Sequence, residues 1–411
     1  MSEQPHPLAS LQEIVHDDPD SALEYLPDLV RYLRSGSTEE RDAASQILAE
    51  YAQRRAPDIV HTLDRLVEPL HRHDGRIRTN IAAAFAFVAA EDPSAIVEIE
   101  RSGQERLTDA FAEVLLNGPE PARTNVGETL AYVSDVSPET IADTAASQGF
   151  VKLFSGSNEQ RRYAIIICSQ VGEVAPTVIQ PYVQRIRAGL SPRYPTNERL
   201  VALATLAHVA ADSPELVANR IEPLLETASD SEPQIRSNAL GVGAIVARTH
   251  PDSVIDLRGI ATESLSAEQT SERINAAELL YRLAHKRPDE LANDGIKTQL
   301  RRAEESDSEE LVRNYAELAL VELRGEDASL PPRFPSIVEN ALRGDNIGSV
   351  VHDALGRTII NIEELVGDRH QNIEVTDGSH VDGDVGNTQL EGPSGDHDRP
   401  RRRTEDDDNR R

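Results

Sequence analysis

Side chains that could do chemistry are sparse in this chain and do not converge. Cys168 is the only cysteine. A thiol becomes a nucleophile when a neighbouring base or cation stabilises its thiolate. Cys168 instead closes the apolar run Ala164-Ile165-Ile166-Ile167-Cys168, so burial in a helix core is the expectation. A single cysteine also leaves no intrachain disulfide and no Cys-based zinc site. His71-Arg72-His73-Asp74 gathers two imidazoles and a carboxylate, donor types that could hold a divalent metal. In a solvated turn such a trio is ordinarily just a polar turn, so no metal is assigned. Gly241-Val242-Gly243 has no preceding strand and no third glycine, and no Gly-Lys-Ser/Thr phosphate loop occurs. No catalytic, cofactor-binding or metal-ligating residue is expected, and no cofactor.

The elements carrying these residues are more informative. Ser213 to Val254 contains the unit most clearly. Ser213 suits an N-cap, Pro214 the first helical position, and Glu215 the positive end of the helix dipole. Leu216, Val217, Ile221, Leu224 and Leu225 then form one apolar stripe. Ser229-Asp230-Ser231-Glu232-Pro233 is turn chemistry. A second helix follows, with Ile235, Ala239, Val242 and Val246 on one face. Ala239, Gly243 and Ala247 recur four apart and would admit a close neighbour. One such hairpin exposes too much apolar surface; stacked copies bury both sides.

The unit repeats. Pro19, Pro57, Pro93, Pro138, Pro176, Pro214, Pro251 and Pro288 each open a helix, at intervals (by subtraction) of 38, 36, 45, 38, 38, 37 and 37 residues. Arg78, Arg123, Arg161, Arg199, Arg236 and Arg273 each lie 15 residues before the next proline, and Arg41 lies 16 before Pro57. Arg313 falls at the matching place in the last unit. Turn residues Asp74, Glu120, Glu159, Glu232 and Glu309 precede this series, and capping-box spacing occurs at Ser37…Glu40, Ser157…Gln160 and Ser306…Glu309. The third unit is longer, around Ile99–Arg106, where its first helix should break near Ser102-Gly103. Ser191-Pro192-Arg193-Tyr194-Pro195-Thr196 marks a second departure in the fifth unit.

On these residues the chain, over roughly residues 8–325, resembles the HEAT-repeat proteins. The resemblance rests on the helix pair of about 37 residues, the early proline, the acidic turn and the Arg opening the second helix. It implies an all-α fold, a right-handed α-α superhelix (solenoid) of about eight repeats starting near 19, 57, 93, 138, 176, 214, 251 and 288, behind a cap helix at 8–16. It also implies that Arg41, Arg78, Arg123, Arg161, Arg199, Arg236, Arg273 and Arg313 form a structural ladder rather than a functional site. Partners for these arginines would be turn carboxylates or carbonyls of the same or adjacent repeat. None of the twelve histidines is followed by Glu, unlike the di-iron hydroxylases built on such repeats. The implied role is a non-enzymatic scaffold or adaptor holding another protein on a concave face lined by second helices. A chromosome-associated or nucleic-acid-binding subunit and a groove-bearing enzyme are the alternatives.

After Leu323 the pattern stops. Residues 326–344 read as a boundary with a short helix, 345–390 as a weakly ordered strand-like segment that could self-associate, and 391–411 as a disordered mixed-charge tail.

Composition narrows the partners. Net charge is −29, and Lys152, Lys286 and Lys297 are the only lysines among 42 basic residues. Phosphate backbones are bound by an excess of Lys and Arg, so nucleic acid is disfavoured, although Arg72, Arg76 and Arg78, or Arg185, Arg187 and Arg193, could form local clusters. The absence of a long apolar run or leader-like segment points to a cytoplasmic protein with no membrane partner. Acid excess with almost no Lys is a salt-adapted composition, since self-repulsion is tolerable only when screened. Helicity followed by circular dichroism should therefore fall as KCl is lowered from molar to millimolar, and an unchanged spectrum would remove the salt-adaptation reading.

Overall fold

The computed structural model describes residues 7–102 and 106–325. The chain divides into two units, Met1–Ile373 and Glu374–Arg411, and every described residue belongs to the first. The expectations for 326–344, 345–390 and 391–411 fall outside the described residues.

Among the described residues every regular element is helical, and the helices pack as an all-α solenoid. A first helix, Pro7–Asp17, precedes eight helix pairs. The second helices of the pairs are Thr38–Ile59, Gly75–Glu91, Glu120–Val136, Asn158–Val174, Thr196–Asp212, Pro233–Ala247, Thr270–Lys286 and Glu310–Arg324. They form one layer, each packed on the next, while the first helices stack in a second layer. The core is aliphatic: Ile81, Leu130, Ile167, Leu203, Val242, Leu280 and Leu318 are all buried, consistent with a chain poor in aromatics.

The first helices are not continuous. The apolar stripe of the sixth repeat reads as one helix, but it is two, Pro214–Ala218 and Glu222–Ala228. The same break recurs throughout, through a 3₁₀ turn at Leu23–Tyr25, Val60–Leu66, Gln180–Tyr182 and Ile255–Leu257. The third repeat, with helices Pro93–Ser102 and Leu107–Asn117, is an enlarged version of this pattern rather than the sole case. Second prolines mark several breaks: Pro27 and Pro223 stand at the start of the restarted piece and Pro181 within the 3₁₀ turn before it, where a missing N–H is tolerated but an unbroken helix is not. In the sixth repeat the exposed carbonyls have a partner. Arg187 of the preceding repeat, only 4% exposed, donates through Nη2 to Leu216 O at 2.6 Å and Val217 O at 3.3 Å.

Successive repeats are joined by one backbone device. Asp18, Asp92, Ser137, Ala175, Ser213, His250 and Arg287 all have φ between −125 and −155° and ψ between 57 and 85°. Each precedes a proline, whose ring disfavours α geometry in the residue before it. The joint residue's N–H still closes the outgoing helix, as in Ser213 N to Val209 O at 2.7 Å, and its carbonyl opens the next, as in Leu216 N to Ser213 O at 3.1 Å. In the first repeat the kink falls at Arg55 (φ −142°, ψ 49°), so Pro57 occupies the second helical position. Measured joint to joint, the intervals become 37, 37, 45, 38, 38, 37 and 37. Every register arginine from Arg41 to Arg273 then lies 14 residues before its joint, and the apparent irregularity at Arg41 disappears.

Small residues admit the neighbours. A Cβ on Gly243 would stand 2.7 Å from Leu257 Cδ1 of the next repeat, and one on Gly172 would stand 2.5 Å from Ile179 Cδ1. No single helix among the described residues is long and apolar enough to cross a membrane; Gly75–Glu91 with Pro93–Arg101 has the composition, but the pair bends by 116° at its joint.

Candidate partner-binding surface

The register arginines do two jobs, and not all of them do both. Each lies beside the turn between its own repeat's helices. Arg41 Nη1 donates to Gly36 O at 2.9 Å, Arg78 Nη2 to His71 O at 3.1 Å, Arg123 Nη1 to Gly118 O at 2.6 Å and Arg313 Nη1 to Asp307 O at 2.6 Å. Arg161 uses Asn158 Oδ1 in the same place, at 2.8 Å. Carbonyls at a helix end lack intrahelical partners, and a guanidinium supplies the missing donors.

In the fourth to seventh repeats the same arginines also reach forward to a carboxylate of the next repeat. Arg161 meets Glu198 at 3.0 Å and Arg199 meets Asp230 at 2.6 Å. Arg236 grips Glu272 with both Nε and Nη2 at 3.0 Å. Arg273 holds both carboxylate oxygens of Asp307, at 2.8 and 3.2 Å. The forked guanidinium makes this two-point contact, which a lysine could not. Glu198 and Glu272 are 2% exposed at their side chains, and Ser264 Oγ donates a further bond to Glu272 at 2.9 Å. Burial pushes the Asp230 carboxyl up; the Glu232 amide and the Arg199 guanidinium outweigh that and hold it below the ordinary carboxylate value.

The carboxylates therefore alternate between two sites. Glu198 and Glu272 sit one residue before the next register arginine, while Asp230 and Asp307 sit six before it. The turn residues Asp74, Glu120, Glu232 and Glu309, marked by the sequence pattern, are not these partners. For Arg41, Arg78 and Arg123 the corresponding pairs of positions hold Arg72 and Ile77, Asn117 and Ala122, and Ser155 and Gln160. None is acidic, and those three arginines form no ion pair among the described residues. Their Nε atoms, and that of Arg161, are buried without a partner. Gln160 substitutes with its amide, donating to Glu120 O at 2.9 Å and Thr124 Oγ1 at 2.8 Å. That use leaves only half of the capping box at Ser157, whereas Ser37 and Glu40 form the complete box. Ser306 is the last residue of its helix, and Glu309 takes the N-cap position of the next one without a side-chain capping bond.

The other sequence candidates resolve into structural roles. Cys168 is fully buried, and burial pushes its thiol well up. A ring nitrogen of His73 is 2.8 Å from Leu33 O, and no group of three potential metal ligands occurs among the described residues. Both basic clusters come apart. Arg72 pairs with Glu68, Arg76 with Asp42, and Arg78 and Arg187 are buried. Arg185 remains exposed. In the 191–196 loop, Tyr194 lies between Arg161 and Arg193, whose guanidinium carbons are 4.0 and 4.6 Å from its ring centroid. The loop thus covers the Arg161–Glu198 pair.

What packing leaves unexplained lies at the C-terminal ends of the second helices. Val136 is 48% exposed and Val174 is 51% exposed. They end the second helices of the third and fourth repeats at equivalent positions, one residue before the joint. Gln170 Nε2 donates to Asp135 Oδ1 at 3.3 Å, tying the two helix ends together. Glu91, Asp92, Asp135, Glu173 and Asp212 surround this pair along the second to fifth repeats, all exposed. Partial burial raises the Asp135 carboxyl.

No protein-family profile matches the chain, and no curated protein does. A crystal structure of an engineered protein matches over 89% of this chain and 92% of its own length, with a TM-score of 0.57 and 18% identity. At that identity the likeness shows the helical fold alone.

The ladder yields a contrast. Arg236→Met leaves Glu272 buried and unpaired and should cost about 3–5 kcal/mol. Arg41→Met loses hydrogen bonds only and should cost about 1 kcal/mol. Urea unfolding of both variants at one fixed KCl concentration measures the difference; equal losses would contradict the division of the ladder.

Proposed function

We propose that this chain is a non-enzymatic scaffold or adaptor, a HEAT-like solenoid of a salt-adapted cytoplasm that holds another protein along its second-helix layer. The observation that carries this reading is the pair Val136 and Val174. They are two of only four large apolar side chains exposed among the described residues, and they stand at equivalent positions on adjoining repeats. A side chain half out of water at one position is unremarkable. The same departure on two neighbouring units, beside exposed carboxylates, supports the reading of a surface kept for contact. An array of preordered helices offers such a surface with little ordering cost on binding. A nucleic-acid role draws less support, because Arg72 and Arg76 are paired, Arg78 and Arg187 are buried, and of the two clusters Arg185 and Arg193 alone stay exposed and outside an ion pair. A catalytic role would need convergent reactive groups, whereas Cys168 is buried in the core and His73 lies on the Leu33 carbonyl.

Gel filtration of the tagged chain from lysate at molar KCl should return it in a complex with another protein at fixed stoichiometry. Elution of the chain alone at all salt concentrations, or a co-eluting small molecule in place of a protein, would contradict the scaffold reading.

A further inference from the structure

The helix ends around Val136 and Val174 break a second rule besides exposure. Carbonyls at a helix C-terminus carry partial negative charge, so cations belong in the last turn and anions are unfavourable there. The second helices of repeats two to five end instead with Glu91 and Asp92, Asp135, Glu173, and Asp212, and none has a basic residue in its last turn. Among the described residues no Arg, Lys or His lies within ion-pair distance of these five carboxylates; Asp92 accepts from Ser94 N at the start of the next helix, at 3.1 Å, and the polar groups that reach Asp135 and Asp212 are the neutral side chains of Gln170, Gln180 and Ser213. Elsewhere in the second-helix layer the rule is kept or no acid stands in the last turn, as in Pro233–Ala247. Arg54 at the end of the first repeat's second helix donates to His16 O at 2.7 Å and pairs with Glu50. The seventh repeat's second helix ends in His285 and Lys286. First helices such as Glu222–Ala228 and Asp294–Ser306 also end in acid without a basic residue, but within the second-helix layer the misplaced charge falls on the stretch that also exposes the two valines.

We infer that this edge, from Glu91 to Asp212, docks a cationic amphipathic segment of a partner protein, its apolar side chains on Val136 and Val174 and its Arg or Lys side chains on the flanking carboxylates. The inference rests on the scaffold reading above. Packed helices lie about 8–10 Å apart. An α-helix rises 1.5 Å per residue, so residues seven apart match that step at about 10 Å. A helix with apolar residues at i and i+7 therefore sets one on each valine, and its flanking cations supply the charge that the four helix ends lack. The chain's own tail is a poor occupant: residues 326–411 hold 19 Asp and Glu against 10 Arg, a net of −9. At molar salt the apolar contact would carry affinity, and the close charge pairs would fix orientation.

The test uses the full chain and two fluorescein-labelled 18-residue helical peptides. They share Leu at i and i+7; one carries Arg at its other positions facing the edge, the other Glu. Anisotropy should show saturable binding of the Arg peptide only. Glu91→Lys, Asp135→Lys and Glu173→Lys combined should weaken it about tenfold or more, as should Val136→Asp with Val174→Asp. Glu226→Lys, Glu263→Lys and Glu305→Lys, the same charge change on first helices, should weaken it far less. Because lysine suits a helix C-terminus, the edge triple variant should also melt at a higher temperature than wild type. A merely structural role for these carboxylates predicts a lower melting temperature. Equal binding by the edge and control variants, or by both peptides, would overturn the inference. The edge triple variant is then used to challenge the wild-type complex from lysate. If the wild type captures a protein and this variant still retains it, the cationic docking edge is wrong while the scaffold reading stands. If the wild type captures none, the scaffold reading itself fails.

Discussion

The structure depends on how each guanidinium meets the turn beside it. A two-helix repeat must reverse direction without leaving the carbonyls of its first helix unpaired in a half-buried seam. The register arginine answers from the start of the second helix, and in the fourth to seventh repeats its remaining donors lock onto the next repeat. Turn closure and repeat stacking are thereby coupled through one side chain. The coupling requires a planar, multi-donor cation, which accounts for arginine at all eight places in a chain with three lysines. Its placement is set by the joint: fixed backbone geometry before each proline holds the arginine at one distance from the next repeat.

Much of this was legible in the residues. The proline and arginine periods, the helix pairs and the cap helix follow from local spacing, because each repeat is stabilised by the same few contacts. Three features were not legible. The breaks in the first helices look like continuous stripes, since an apolar period survives a short 3₁₀ turn, although Pro27, Pro181 and Pro223 were available as a signal. The joint at Arg55 was displaced from Pro57 because proline tolerates the second helical position as well as the first. The rung carboxylates were sought in the turns, whereas half of them, Glu198 and Glu272, directly precede the next arginine. That adjacency has meaning only once neighbouring helices are laid side by side.

The candidate surface was less visible still. Val136 and Val174 read as ordinary members of apolar helices, and an acid before a proline joint reads as solubility in a chain this acidic. Only exposure shows that the valines do not join the core, and only the missing cations show that the acids are uncompensated. The departures that drew attention in the residues have structural settings: the enlarged third repeat is a longer form of a break shared by all, and Tyr194 in the 191–196 loop stacks on Arg161 of a buried ion pair. The surface spans the repeats where the ladder passes from open to closed. Regions with fewer cross-links open more readily, and binding elements are commonly drawn from them.

The division of the ladder is the claim on which this account turns, and hydrogen exchange resolved along the chain by mass spectrometry tests it most directly. At fixed molar KCl, amides in Thr196–Asp212, Pro233–Ala247 and Thr270–Lys286 should exchange more slowly than those in Thr38–Ile59, Gly75–Glu91 and Glu120–Val136, with the step falling near the Arg161–Glu198 pair. Uniform protection along the array, or slower exchange in the first three repeats, would contradict it.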